Sequence, residues 1–482
     1  MMDTAVLTIK TESQPITRHI GVFVHETLFS DLPAEAVRRA KNSFLDTLGV
    51  ALGGISEPAP QLLCRFVREQ GDCEHASVLA QGLKTSVPYA ALINGTAGDI
   101  VGWSDISVTQ MTHPSVSICP AVWAIGEHIR APGKEVLLAH VLGLEVANKL
   151  GAGVKPGLQL KGWHPLAVLN TFGCAIAGGK LLGLDVDGLC NALGIAGAEA
   201  SGMRVAMGSM SKAYGAGRAA RDGVTAALLA NIGYTGPVNV IEGRDGFLQT
   251  FGDGASGAGI LEQLGNPFEF VSPGITLKKF PACTRSHNGI QGLLNLREQY
   301  SFGSGDIAKV ECLVTPAVVD YLKFPRPKNK FEAKYSMEFC IATAIRDGTV
   351  LISSFTDERV CNPELAALME KITMTVWPEY AKDGYNPSYA PYGCVVQVTL
   401  KDGRKLVERV DKGPWEPSTP PGWDDLVPKF RSNAEMVLDK NIVDQVVETV
   451  ACLETLEDIS ELVTLVSNGQ RANGKNTATA FR

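Results

Sequence analysis

Lys161-Gly162-Trp163-His164-Pro165 leads into a run of small and apolar residues, LAVLNTFGCAIAGGKLLGL, from Leu166 to Leu184. Proline fits the first turn of a helix, where its missing N–H costs nothing, so the pentapeptide reads as a glycine-bearing loop turning into a long apolar helix. His164 is thereby set near a helix N-terminus, a proton carrier against an apolar wall. Working outward, the same arrangement recurs at His113-Pro114-Ser115, ahead of Ile118, Ala121, Val122 and Ile125, with Pro120 marking the helix start. By residue type alone, the two histidines are either polar caps on loops or two walls of one site.

Around these two steps helix follows helix. Val37, Ala40, Phe44, Leu45, Leu48 and Leu52 recur at three- and four-residue spacing, which predicts a core-facing helix over 34–52. Further helices are expected over 20–32, 62–70, 86–98, 136–150, 166–184 and 189–200, with no strand alternation between them. After Gly202, a glycine- and serine-lined turn carries Lys212 before a helix whose N-terminal amides favour an anion.

Near Lys278 the character changes. Residues 275–281 read as extended, 288–300 and 336–346 as helical. Residues 309–315, 372–377, 394–400 and 405–410 alternate as strands, the last two joined by the turn Lys401-Asp402-Gly403-Arg404. The expected fold class is mainly α with α+β: a large all-helical domain over 1–272 and a smaller α+β domain over 273–412. Helices over 423–438 and 443–455 follow, within 413–467, and 468–482 reads as a polar disordered tail.

Lys and Arg number 44 against 51 Asp and Glu, a net charge of −7, and no basic block offers a nucleic-acid surface. An acidic protein that binds an anion must concentrate its cations locally. No stretch of 18 or more uncharged apolar residues is expected to span a bilayer, and residues 1–30 match neither a secretory nor a transit leader. Eleven cysteines lack any C-x-x-C pair, and Cys119, Cys174 and Cys340 lie in apolar runs, which predicts buried free thiols in a reducing compartment. The expected localisation is cytoplasmic, with neither membrane nor nucleic acid as partner. Fifty glycines, clustered with alanine in helical stretches, predict helices packed backbone to backbone.

Three chemical readings fail on context. Gly252-Asp253-Gly254-Ala255-Ser256-Gly257 spells a dinucleotide fingerprint without the flanking strand and helix that make it work. Ser209-Met210-Ser211-Lys212 spells S-x-x-K without its companion motifs. No ligand spacing suits zinc, so no metal is expected. What remains is a set of cations and proton carriers, His113, His164, Lys212, Lys278 and His287, with Asp105 beside them. Together they suit a small polycarboxylate, because each carboxylate takes a charge-assisted hydrogen bond. Histidines near neutral pH then suit proton abstraction next to a carboxylate.

Several stretches in order carry a resemblance. They are Asn94-Gly95-Thr96-Ala97, His113-Pro114-Ser115, Gly162-Trp163-His164-Pro165, Lys180-Leu181-Leu182-Gly183-Leu184-Asp185, Lys212 with Ala216-Gly217-Arg218-Ala219-Ala220, residues 275–281, and Tyr335-Ser336-Met337-Glu338-Phe339-Cys340. From about residue 15 to 460 the chain resembles the MmgE/PrpD family. The resemblance implies a helical domain built from both ends of the chain, so that 413–467 rejoin 1–272, with 273–412 as a lid. It also implies a homodimer, catalysis without a cofactor, and a small-molecule tricarboxylate as substrate. It makes His113 and His164 catalytic with the help of Asp105, and Lys212, Lys278 and Ser336 substrate-binding.

Three departures accompany it. Gly102-Trp103-Ser104-Asp105 stands where the family usually carries D-x-D-D. The histidine that many relatives place after the loop lysine is missing, and Cys283 falls where decarboxylases of the family carry a histidine. The activity expected first is dehydration of 2-methylcitrate or a 2-alkylcitrate. Decarboxylation of cis-aconitate to itaconate comes second, followed by epimerisation of a dicarboxylate and a non-catalytic binding role.

Overall fold

Apolar burial sorts the chain into two main clusters. One runs from Ile16 to Leu277 and resumes from Leu426 to Val466, and the other runs from Phe280 to Leu406. The helices Trp423–Ala434 and Lys440–Ala451 thus pack with the N-terminal helices across more than a hundred intervening residues. These features belong to a computed structural model that describes residues 15–71, 73–107, 109–154, 157–255, 257–382 and 391–468. The fold is mainly helical with a smaller α+β part. Residues 469–482 of the expected tail lie outside the described residues, and Asn468 ends the Ser460–Asn468 helix.

Close helix packing explains the glycines. Gly217 sits where the helices Val87–Ile100 and Met210–Asn231 cross, and a Cβ there would stand 2.1 Å from the Leu92 carbonyl oxygen. Only glycine lets these helices meet. That contact brings Lys212, in the first turn of its helix rather than in a preceding loop, beside Asp99 at the end of the other helix.

The helix expected from Pro120 instead starts at Ser115 and runs to Ile129 with Pro120 inside it. Proline leaves the carbonyl four residues back without its N–H partner. That carbonyl, on Val116, faces Gly95, where a Cβ would come within 3.1 Å of it.

One further expectation is corrected. The helical region contains a short antiparallel hairpin, β1 (Ala76–Val78) and β2 (Leu83–Thr85), whose three-residue strands are too brief to alternate visibly. Asn94 hooks this hairpin to its helix, accepting from the Leu79 N–H at 3.0 Å and donating to the Ser77 carbonyl at 3.1 Å. The helix Gly133–Val154 is also long and apolar enough to cross a membrane. It is instead walled in by protein, and its Lys149 pairs with Glu269 at 2.9 Å and lies 3.8 Å from Glu145.

In the second cluster, β3 (Ile307–Val314), β4 (Ile372–Val376), β5 (Cys394–Leu400) and β6 (Lys405–Val410) form one sheet in the order β4-β3-β5-β6. Only β3 and β4 are parallel. The β5–β6 hairpin turns through Gly403 as expected. The stretch 275–281 is extended and, among the described residues, joins no sheet and pairs only through Thr276 with Ile106. That single bridge carries the chain out of the first cluster along the floor of the candidate site.

Candidate active site

The loop that follows the Val87–Ile100 helix organises the site through its main chain. Ile100, Gly102 and Trp103 offer carbonyl oxygens to the ammonium groups of Lys334 (2.9 Å), Lys278 (2.9 Å) and Lys429 (3.0 Å). The Asp105 carbonyl accepts from His113 Nδ1 at 2.5 Å. Just before them, the Asp99 carboxylate pairs with Lys212 at 2.6 Å. Gly102 adopts φ +72, a left-handed conformation in which an aspartate would be strained. Where the resemblance leads one to expect a row of acids, this chain meets Lys278 and Lys334 with carbonyls.

The stretch Gly162-Trp163-His164 is fixed by a second loop. His164 N–H donates to the Gly202 carbonyl, and Arg204 N–H donates back to the Gly162 carbonyl, both at 2.9 Å. Trp163 packs edge-on against Phe251 with ring centroids 5.4 Å apart. His164 therefore caps the Pro165–Leu181 helix with its ring buried, and Arg204 is brought alongside.

His113, His164, Lys212 and Lys278 all line one cleft. Three other residues singled out from sequence lie off it. The Asp105 carboxylate is fully buried behind His113, accepting from the Ser115 N–H at 3.3 Å. Ser336 caps a helix: its hydroxyl accepts from the Phe339 N–H at 3.1 Å and starts the Met337–Asp347 helix. His287 is buried edge-on against Phe280. Sequence reading misses Arg204, Arg285, Tyr321, Lys334 and Tyr335, which line the same cleft. Their one visible signal is adjacency, since Arg285 follows Cys283 by two positions and Lys334 precedes Tyr335-Ser336.

Five cations, Arg204, Lys212, Lys278, Arg285 and Lys334, thus face, among the described residues, a single lining carboxylate, Asp99, which Lys212 already occupies. Crowded positive charge and burial act together on the titrating groups. Burial, then Lys212, pulls Lys278 down to about 8, and burial above all brings Lys334 to about 7. Burial, followed by Lys212 and Lys278, holds His113 well below its usual value, and burial followed by Lys212 takes His164 to about 4. At neutral pH both imidazoles are uncharged. Burial lifts Asp105 to about 7.

Asp105 serves His113 through its carbonyl, which a side-chain change leaves in place. Asp105→Asn also keeps an oxygen for the Ser115 N–H. Turnover by this variant is expected to fall less than about tenfold, and a loss of ~10²-fold or more would make the carboxylate itself a proton carrier.

The family models place this arrangement. The model described as the MmgE/PrpD N-terminal domain matches residues 18–257, and the MmgE/PrpD C-terminal domain matches 280–455. The chain belongs to the MmgE/PrpD family. Among curated relatives, a cis-aconitate decarboxylase of Homo sapiens is 28% identical over 94% of this chain and 94% of its own length. One from Aspergillus terreus is 27% identical over 94% and 96%. A 2-methylcitrate dehydratase of Cupriavidus necator is 23% identical over 82% and 85%. This MmgE/PrpD chain is therefore similar, over nearly its whole length, to enzymes named for removing carbon dioxide and, more distantly, to one named for removing water.

Proposed function

We propose that this MmgE/PrpD protein is a lyase acting on a citrate- or aconitate-like polycarboxylate. The convergence of five cations on two neutral histidines, with one carboxylate already paired, carries the reading. Lys212, Lys278 and Lys334 hold substrate carboxylates by charge-assisted hydrogen bonds in a cleft where low dielectric strengthens them. The histidines then move protons at the carbon beside a held carboxylate.

Decarboxylation of cis-aconitate is the reaction placed first, because the decarboxylases are the more similar relatives over the greater share of both chains. In that step the C–C bond to the methylene carboxylate breaks and carbon dioxide leaves. The bonding pair becomes an allylic carbanion spread toward the neighbouring carboxylate, and a proton delivered to its far end gives the product. Dehydration of a 2-alkylcitrate, expected first from the motifs, becomes the second reading. Cys283 favours it, since a thiol on the cleft wall replaces the histidine expected in a decarboxylase.

Purified protein incubated with cis-aconitate, citrate and 2-methylcitrate, with released carbon dioxide and alkene absorbance followed, is expected to turn over at least one of these acids. The lysines bind anions only while protonated, below their pKa values. Accordingly, kcat/KM is expected to be full at lower pH and to fall as pH rises through about 7 to 8, following Lys334 and Lys278. His164, at about 4, stays neutral across that range. Folded protein that turns over none of these acids overturns the lyase reading.

A further inference from the structure

Arg285 is 6% exposed, and no carboxylate among the described residues pairs with it. Its guanidinium lies 3.4 Å from the Tyr321 ring centroid and 4.8 Å from that of Tyr392. Nε donates to the Ala317 carbonyl at 3.2 Å, and one terminal nitrogen rests 3.8 Å from Met111 Sδ, a weak acceptor. Arg204 approaches the same tyrosine, donating to its hydroxyl at 3.4 Å and to the Gln159 carbonyl at 3.2 Å. It too has no carboxylate partner among the described residues. Arg204, Arg285 and Tyr321 all line the cleft.

A buried cation is costly unless an opposite charge meets it. Stacking on an aromatic ring fixes the plane of a guanidinium while leaving its edge free for a bidentate acceptor, which an ammonium cannot match. Lys212 has Asp99, and Lys429 has Asp46 at 2.7 Å, whereas Arg285 has no carboxylate among the described residues. The missing charge belongs to a ligand in the cleft.

We propose that Arg285, braced on Tyr321, forms with Arg204 a separate carboxylate subsite that selects tricarboxylates over dicarboxylates. It takes the substrate carboxylate that the lysines do not hold. The subsite deepens the lyase reading and rests on it for the identity of the acid.

Calorimetric titration with propane-1,2,3-tricarboxylate and with glutarate, neither of which can react, tests it. The tricarboxylate is expected to bind the native protein more tightly. In Arg285→Gln its Kd should rise about 10- to 100-fold, the worth of a charge-assisted hydrogen bond, with glutarate changed less than about threefold. Arg285→Lys keeps the charge but not the fork and should recover only part of the loss. Arg204→Gln, at a half-buried position, provides a second variant with less demand on the fold and should show the same selectivity. Equal losses for both acids, unchanged binding in the arginine variants, or native protein that binds neither acid overturns the subsite. Selective tricarboxylate binding without turnover of any acid keeps the subsite and removes the lyase reading instead.

Discussion

Replacing His113 by alanine is expected to lower kcat by ~10²- to 10⁴-fold, the usual worth of one positioned acid or base. Its melting midpoint should hardly move, because the ring's close bond is to the Asp105 main chain and the residue is only half-buried. That bond fixes the tautomer. A carbonyl oxygen can only accept, so Nδ1 carries the hydrogen and Nε2 is left with a bare lone pair. Burial and the two lysines make that nitrogen a poor base. A bound polycarboxylate offsets the charges of Lys212 and Lys278, so the imidazole grows more basic when a substrate proton is within reach. The variant is measured by initial rates on whichever acid the native protein turns over, with circular dichroism confirming the fold. A drop of less than about tenfold would leave the proton transfers to His164 and the lysines.

Much of this site is legible in the sequence because proline and glycine mark places where the backbone must change direction. His164 and His113 each precede a proline that cannot sit deep in a helix without penalty, and both fall where helices begin. Pro120 shows the limit of that signal. It lies inside the Ser115–Ile129 helix, where the Val116 carbonyl that it leaves without an N–H faces Gly95, a contact between distant segments that no local pattern announces. Arg285 and Lys334 elude the sequence for a similar reason. Arg285 follows small residues with no charged neighbour to flag it, Lys334 is one of several charges over 326–334, and only tertiary packing shows that the first has no carboxylate partner among the described residues and the second meets the Ile100 carbonyl. Ser336 stood out within a motif, but its hydroxyl does the local work of capping a helix. The replacement of the expected acidic row by carbonyls is likewise invisible, because main-chain groups carry no residue signature. The left-handed φ of Gly102 is the structural counterpart of one of the two replaced acids, the other position being Ser104.

Lys429→Met is expected to have the largest effect on stability, a loss of ~3–5 kcal/mol, because it strands a buried charge. Lys429 reaches from the Trp423–Ala434 helix into the floor of the site and pairs with Asp46 at 2.7 Å, with side chains 3% and 0% exposed. It also donates to the Trp103 carbonyl at 3.0 Å and the Lys278 carbonyl at 2.9 Å, and its ammonium lies 4.9 Å from the Trp103 ring centroid. Burial pushes Asp46 up and Lys429 down, each toward neutrality, and the close contact opposes both shifts. Methionine fills the volume but removes every donor, leaving Asp46 without its partner and two carbonyls unpaired. The double variant Asp46→Leu, Lys429→Met removes the stranded charge as well and should recover much of the lost stability, since replacing a whole buried pair by apolar groups is often nearly neutral. Parallel thermal melts of the native, single and double variants make the comparison. A single variant that melts with the native protein, or a double variant worse than the single, would show that the pair is not what holds this helix to the floor. Because the Lys278 carbonyl loses its donor in both variants, KM is expected to rise in both, even where stability returns.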